Sequence, residues 1–154
     1  MEGSSLDAIP TATGSGDLPL GVHRASLREL LDCFGVGSRQ RIVVAERFER
    51  IYRLVLATGQ LYRSVVFGSF VTDKSDPNDV DVFMVMQDTF DASRLRGETA
   101  LLPAHAAADA HFGAGVFWVR RLAAMGGEQT TIEYWRVKRS GGQRGIVEIV
   151  GEVP

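Results

Sequence analysis

A chain of 154 residues, 45% hydrophobic and 23% charged, suffices for one domain whose core covers most of its apolar surface. The net charge of −2 gives no global attraction to nucleic acid or anionic lipid, so only a local basic patch would serve such a partner. One cysteine, Cys33, excludes an internal disulfide and makes a reducing cytoplasm the expected location, and no apolar run reaches the ~20 residues that span a bilayer.

Residues 1–20 lack the basic start and apolar centre of a secretory signal. Their Gly, Ser, Thr and Pro content predicts a tail that is flexible unless it docks, ahead of a single domain over residues 21–154. In "SLRELLDCF", Ser26 and Glu29 have capping-box spacing, and Leu27, Leu30, Leu31 and Phe34 form one apolar stripe. Cys33 within it is read as a buried, inert thiol. A second helix is expected from about Arg39 to Ala57, capped by Ser38 and ended by Gly59, with Glu46, Arg47, Glu49 and Arg50 on a solvated face.

"LYRSVVF" (61–67) and "DVDVFMVM" (79–86) read as strands joined by a turn-rich loop. Residues 91–112 are expected to hold one or two helices. "GVFWVRR", "TTIEYWRVKR" and "RGIVEIV" follow as strands, with "SGGQ" marking a hairpin between the last two. This order predicts an α+β fold with helices laid against a small sheet.

The informative stretch is "GSFVTDKSDPNDVDVFMVM", residues 68–86. Asp79 and Asp81 fall on one face of an otherwise apolar strand, together with Phe83 and Val85. Residues i and i+2 of a strand lie roughly 6.6 Å apart, so both carboxylates can address one point. Two such charges repel, and burying them unpaired costs several kcal/mol. A divalent cation removes both problems, and magnesium takes one or two carboxylates together with phosphate oxygens. Upstream, Gly68 permits close backbone approach to a phosphate, Ser69 offers an N–H and a hydroxyl, and Lys74 adds a mobile positive charge.

Strand, Gly-Ser, spacer and Asp-x-Asp together resemble the signature of the DNA polymerase beta-type nucleotidyltransferase superfamily. The chain is most similar to a small, uncharacterised bacterial nucleotidyltransferase-like family with "GSFVTDK" and "PNDID" blocks. Gly16, Leu18, Pro19, Gly21 and His23 match its N-terminal segment; Trp135, Arg139, Gly142, Arg144, Gly145 and Ile146 match its C-terminal one. The resemblance covers about residues 16–150. It implies a minimal nucleotidyltransferase fold, a mixed sheet with helices packed mainly on one face. It further implies two Mg²⁺ ions at Asp79 and Asp81, a nucleoside triphosphate held at Gly68 and Ser69, and transfer of the nucleoside monophosphate to a protein or RNA hydroxyl. Minimal members of the superfamily often belong to toxin–antitoxin or phage-defence pairs, which implies a cognate partner protein.

One departure stands out. The superfamily's third carboxylate, metal ligand and base, falls near Gly115, where no acid stands. Asp109, Glu133 and Glu148 are the nearby acids, and Glu133, on the expected following strand, is the nominated substitute. Without a third acid the alternative is a degenerate domain that binds nucleotide or a partner and regulates it. His105 and His111 read as surface histidines, and His23 as a dock for the tail. Trp118 and Trp135 read as sheet-face aromatics. Arg120, Arg121, Arg136, Lys138, Arg139 and Arg144 form either a basic patch for RNA or triphosphate or a solvated edge.

Overall fold

The computed structural model describes residues 9–151. Five strands form one mixed sheet: β1 (Gly21–Ala25), β2 (Leu61–Phe67), β3 (Asp81–Met86), β4 (Gly115–Arg120) and β5 (Gly145–Ile149), in the spatial order β1-β5-β2-β3-β4. The β1/β5 and β3/β4 pairs are parallel, and β2 runs antiparallel to both of its neighbours. The fold is therefore α+β, as the order of elements predicts.

Helices α1 (Leu27–Phe34), α2 (Arg39–Ala57) and α3 (His105–Phe112) cover one face. Their apolar residues pack with Val66, Val82, Met84, Met86, Val116 and Val147 in the main core, where Phe48 and Phe70 are wholly buried. Each such side chain contributes ~1.5–3 kcal/mol. α1 starts with the predicted capping box: Glu29 N–H donates to Ser26 Oγ, and Ser26 N–H donates to the Glu29 carboxylate. Ser38 caps α2 by accepting from Arg41 N–H. The opposite face carries a smaller cluster of Val65, Phe67, Phe83, Val85, Ile132 and Ile146. Strand periodicity therefore assigns alternate β3 residues to opposite layers, as the sequence suggests.

Three expectations change. β1 lies where no strand is expected. It is a parallel edge partner of β5, stabilised by pairing rather than by a sequence pattern of its own. Residues 9–20 run against the domain: Leu18 is buried in the main core, Asp17 bridges to Thr72, and His23 hydrogen-bonds the Pro19 carbonyl. Residues 1–8 of the tail lie outside the described residues.

"TTIEYWRVKR" is not a strand. It contributes to α4 (Glu128–Tyr134), followed by an irregular turn with a single Val137–Gln143 bridge. Its β-branched content favours extension, but Ile132 and Trp135, at i and i+3, both dock on the minor sheet face. That docking, with a Gln129–Glu133 hydrogen bond at i, i+4, overrides local propensity. Residues 91–112 form two short 3₁₀ turns and α3. Cys33 is exposed rather than buried, because it sits off the apolar stripe of α1.

Candidate functional site

The Gly-Ser turn begins where β2 ends. Gly68 has φ +87°, a conformation that only glycine adopts without strain. Ser69–Val71 then form one 3₁₀ turn, and Thr72 Oγ1 donates to the Ser69 carbonyl. The Ser69 hydroxyl has no protein partner among the described residues.

The loop that follows is held from beneath by Arg41, a buried arginine on α2. Its Nη1 donates to Phe34 O at 3.1 Å and Phe70 O at 2.9 Å, and its Nη2 to Thr72 O at 2.7 Å and Lys74 O at 2.6 Å. Burial pulls its pKa below the ordinary arginine value, partly offset by Asp73 and Asp76. Only a planar fork of donors can serve this set of carbonyls. Sequence reading missed Arg41, since an arginine on an amphipathic helix carries no mark of burial.

Asp81 opens β3, paired with Phe67 on one side and Gly115 on the other. Its carboxylate lies between two glycines. A Cβ on Gly68 would stand 2.4 Å from Asp81 Oδ2, and one on Gly115 would stand 2.3 Å from Oδ1. The register thus places the position expected to bear the third acid directly beside Asp81, and the Asp81 side chain fills it. Burial first, and then the negative charge of Asp79, push the Asp81 pKa up to about 6; Arg144, Arg139 and His105 pull it back. Among the described residues no ion pair neutralises Asp79 or Asp81.

Asp81 faces an open cleft of about 690 Å³. Phe67, Phe117 and Trp135 form its aromatic floor, with Phe67 and Trp135 stacked at 4.4 Å between centroids. The segment after α4 supplies the other wall, including Lys138, Arg139 and Arg144. Arg144 is half-buried: its guanidinium lies 4.9 Å from the Phe67 centroid and its Nε donates to Trp135 O. Burial lowers its pKa, and Asp81 and Asp17 act in the opposite sense. Lys138 pairs with Asp17, tying residues 9–20 to this wall.

Gly68, Ser69 and Asp81 adjoin one another, whereas Asp79 lies just ahead of β3 rather than on it as expected, close enough for its charge to act on Asp81. Lys74 and Glu133 are not with them. Lys74 is exposed over a different cleft, shared with Asp73 and Asp76. Glu133 sits on α4, exposed, with its carboxylate 2.9 Å from Gln129 Nε2 and 3.9 Å from Arg136. The strand placement that nominated it as third carboxylate is overturned. Glu148 is spent in a bidentate pair with Arg63, and Asp109 is exposed on α3. Among the described residues no three His, Cys, Asp or Glu side chains converge.

Of the six basic residues, three flank the Asp81 cleft, while Arg120 bonds Phe90 O, Arg121 pairs with Glu128, and Arg136 lies beside Glu133. Trp135 packs on the sheet as expected. His105 and His111 are both exposed, as expected: His111 pairs with Glu98, and His105 stacks on Phe117 at the rim of the cleft. No helix among the described residues is long and apolar enough to cross a membrane.

The chain belongs to the family of unknown function DUF6932, whose pattern it matches over residues 10–150. No curated protein and no solved structure is detectably similar to it.

Proposed function

We propose that this DUF6932 member is a magnesium-dependent nucleotidyltransferase that moves a nucleoside monophosphate from a triphosphate to a protein or RNA hydroxyl. The observation that carries the reading is Asp81: a half-buried carboxylate beside Asp79, without a paired cation, cradled between two glycines at the Gly-Ser turn. A carboxylate so desolvated and beside a second one is costly to ionise unless something positive completes it.

Asp81, its pKa raised by burial and by Asp79, suits a hard divalent cation, which would take both carboxylates as ligands. When bound, magnesium would supply positive charge to the phosphates and to the leaving pyrophosphate. A second ion would depend on phosphate oxygens, since the described residues offer only this pair. Gly68 and Ser69 would receive a terminal phosphate through the turn N–H groups and the free hydroxyl. Arg144 and Arg139 line the same cleft and would neutralise the remaining phosphate charge. A nucleobase would meet Tyr134 and Trp135, the aromatic side chains on the α4 side of the cleft. The acceptor hydroxyl would come from a partner protein or RNA bound at the same cleft.

A second reading, a degenerate nucleotide-binding regulator, is favoured by Gly115 standing at the third-acid position. Incubation with Mg²⁺ and each α-labelled triphosphate, with mixed tRNA or protein acceptors, separates the two. Label transfer lost in Asp81→Asn supports the enzyme. Mg²⁺-dependent binding without transfer supports the regulator, and no binding at all defeats both.

A further inference from the structure

A hydroxyl that attacks phosphorus must lose its proton, and among the described residues no third carboxylate joins Asp79 and Asp81 to take it. Around the Asp81 cleft, one uncommitted group has the right chemistry. His105 is the first residue of α3, which packs beside β4. Its ring stacks on Phe117 with 4.7 Å between centroids and 28° between planes. Phe117 lies in the cleft with Asp81, and its Cε2 is 3.5 Å from where a Gly115 Cβ would stand. His105 therefore sits at the rim of the cleft, within electrostatic range of Asp81 and against Phe117, whose ring packs beside Gly115.

The orientation of the ring is also defined. His105 Nδ1 faces the Val116 carbonyl at 3.3 Å. A carbonyl only accepts, so Nδ1 carries the hydrogen and Nε2 keeps its lone pair. Among the described residues Nε2 has no partner. The charged groups around the ring are Asp81 across the cleft and Asp109 one turn along α3.

Resting on the nucleotidyltransferase reading above, we propose that His105 is the general base that replaces the missing third carboxylate. The acceptor oxygen forms its bond to the α-phosphorus while its proton passes to His105 Nε2. The bond from the α-phosphorus to the bridging oxygen breaks, and pyrophosphate leaves with that electron pair. The imidazolium then returns its proton to solvent. A neutral base also avoids a third negative charge beside Asp79 and Asp81, which the tight Gly115–Asp81 approach could not house.

Three measurements test this in the full chain. Nitrogen-15 shifts of the imidazole at pH 8 should show the Nδ1–H tautomer; an Nε2–H tautomer overturns the proposal. Pyrophosphate release from each Mg²⁺-triphosphate, with mixed tRNA present, should fall about 10²- to 10⁴-fold in His105→Gln. Triphosphate affinity, read from tryptophan fluorescence, should stay within about two-fold, and added imidazole should partly restore His105→Ala. Wild-type turnover that His105→Gln leaves intact sinks this inference alone. Turnover that survives Asp81→Asn, or wild-type protein that releases no pyrophosphate, sinks the parent reading with it.

Discussion

The Asp81 carboxylate occupies the space that a side chain on Gly115 would need: a Cβ there would lie 2.3 Å from Oδ1. The two residues are register partners across the parallel β3/β4 pair, so the conflict cannot be relieved by sliding a strand. Gly115→Ala should cost ~1–3 kcal/mol in urea unfolding. In an Asp81→Ala background that cost should largely vanish. Gly68→Ala should cost more, ~2–4 kcal/mol, since the same clash adds to a φ of +87°.

The second prediction concerns pH in the metal-free protein. The folded Asp81 pKa, about 6, lies above the ordinary 3.8, so the native state holds that proton more tightly than the unfolded chain. This contribution to stability is complete below pH 4 and is lost as pH rises through 6. In EDTA, Asp81→Asn should match wild type near pH 4 and exceed it by ~1–2 kcal/mol at pH 7.5. Thermal unfolding across that range checks it. Magnesium should then raise the wild-type Tm and leave the variant unchanged.

Arg41 sets the third test. Replacing it with Met leaves four carbonyls without their donor. The loss should be ~3–5 kcal/mol. Hydrogen exchange should accelerate at Asp73 and Lys74 amides, which the same loop organises. Arg41→Lys should recover only part of this, because one ammonium cannot span the fork.

The basic wall of the cleft divides into two kinds of residue. Arg139 is exposed and unpaired among the described residues, so Arg139→Ala should weaken Mg²⁺-triphosphate binding ~3- to 10-fold with no change in Tm. Arg144 also packs on Phe67 and bonds Trp135 O, so Arg144→Ala should weaken binding and cost ~1–2 kcal/mol of stability. Glu133→Gln should change neither by a measurable amount. Calorimetric titration with a thermal scan reads all three.

How much of this was legible in sequence depended on how locally each feature is determined. The capping box at Ser26, the faces of β3 and the Gly-Ser turn at Gly68 depend on neighbours within a few residues, and they are readable. β1 exists because β5 pairs with it, more than 100 residues along the chain, and its own sequence is neutral. The helix at 128–134 forms because Ile132 and Trp135 find the sheet, a contact that β-branched composition hides. Glu133 was misplaced by that same error. That Gly115 bears no acid is plain in the sequence, but the close packing of Asp81 against it shows only in three dimensions. Arg41 and His105 gained their roles from burial and stacking, and neither leaves a trace in spacing.

The most direct test of the central claim is calorimetric titration of ATP, and of the other three triphosphates, into the wild-type protein in Mg²⁺ and in EDTA, repeated with Asp81→Asn. The account predicts binding of at least one triphosphate that requires both the metal and Asp81. Equal affinity in EDTA, unaltered binding by the asparagine variant, or no binding of any triphosphate in Mg²⁺ would contradict it.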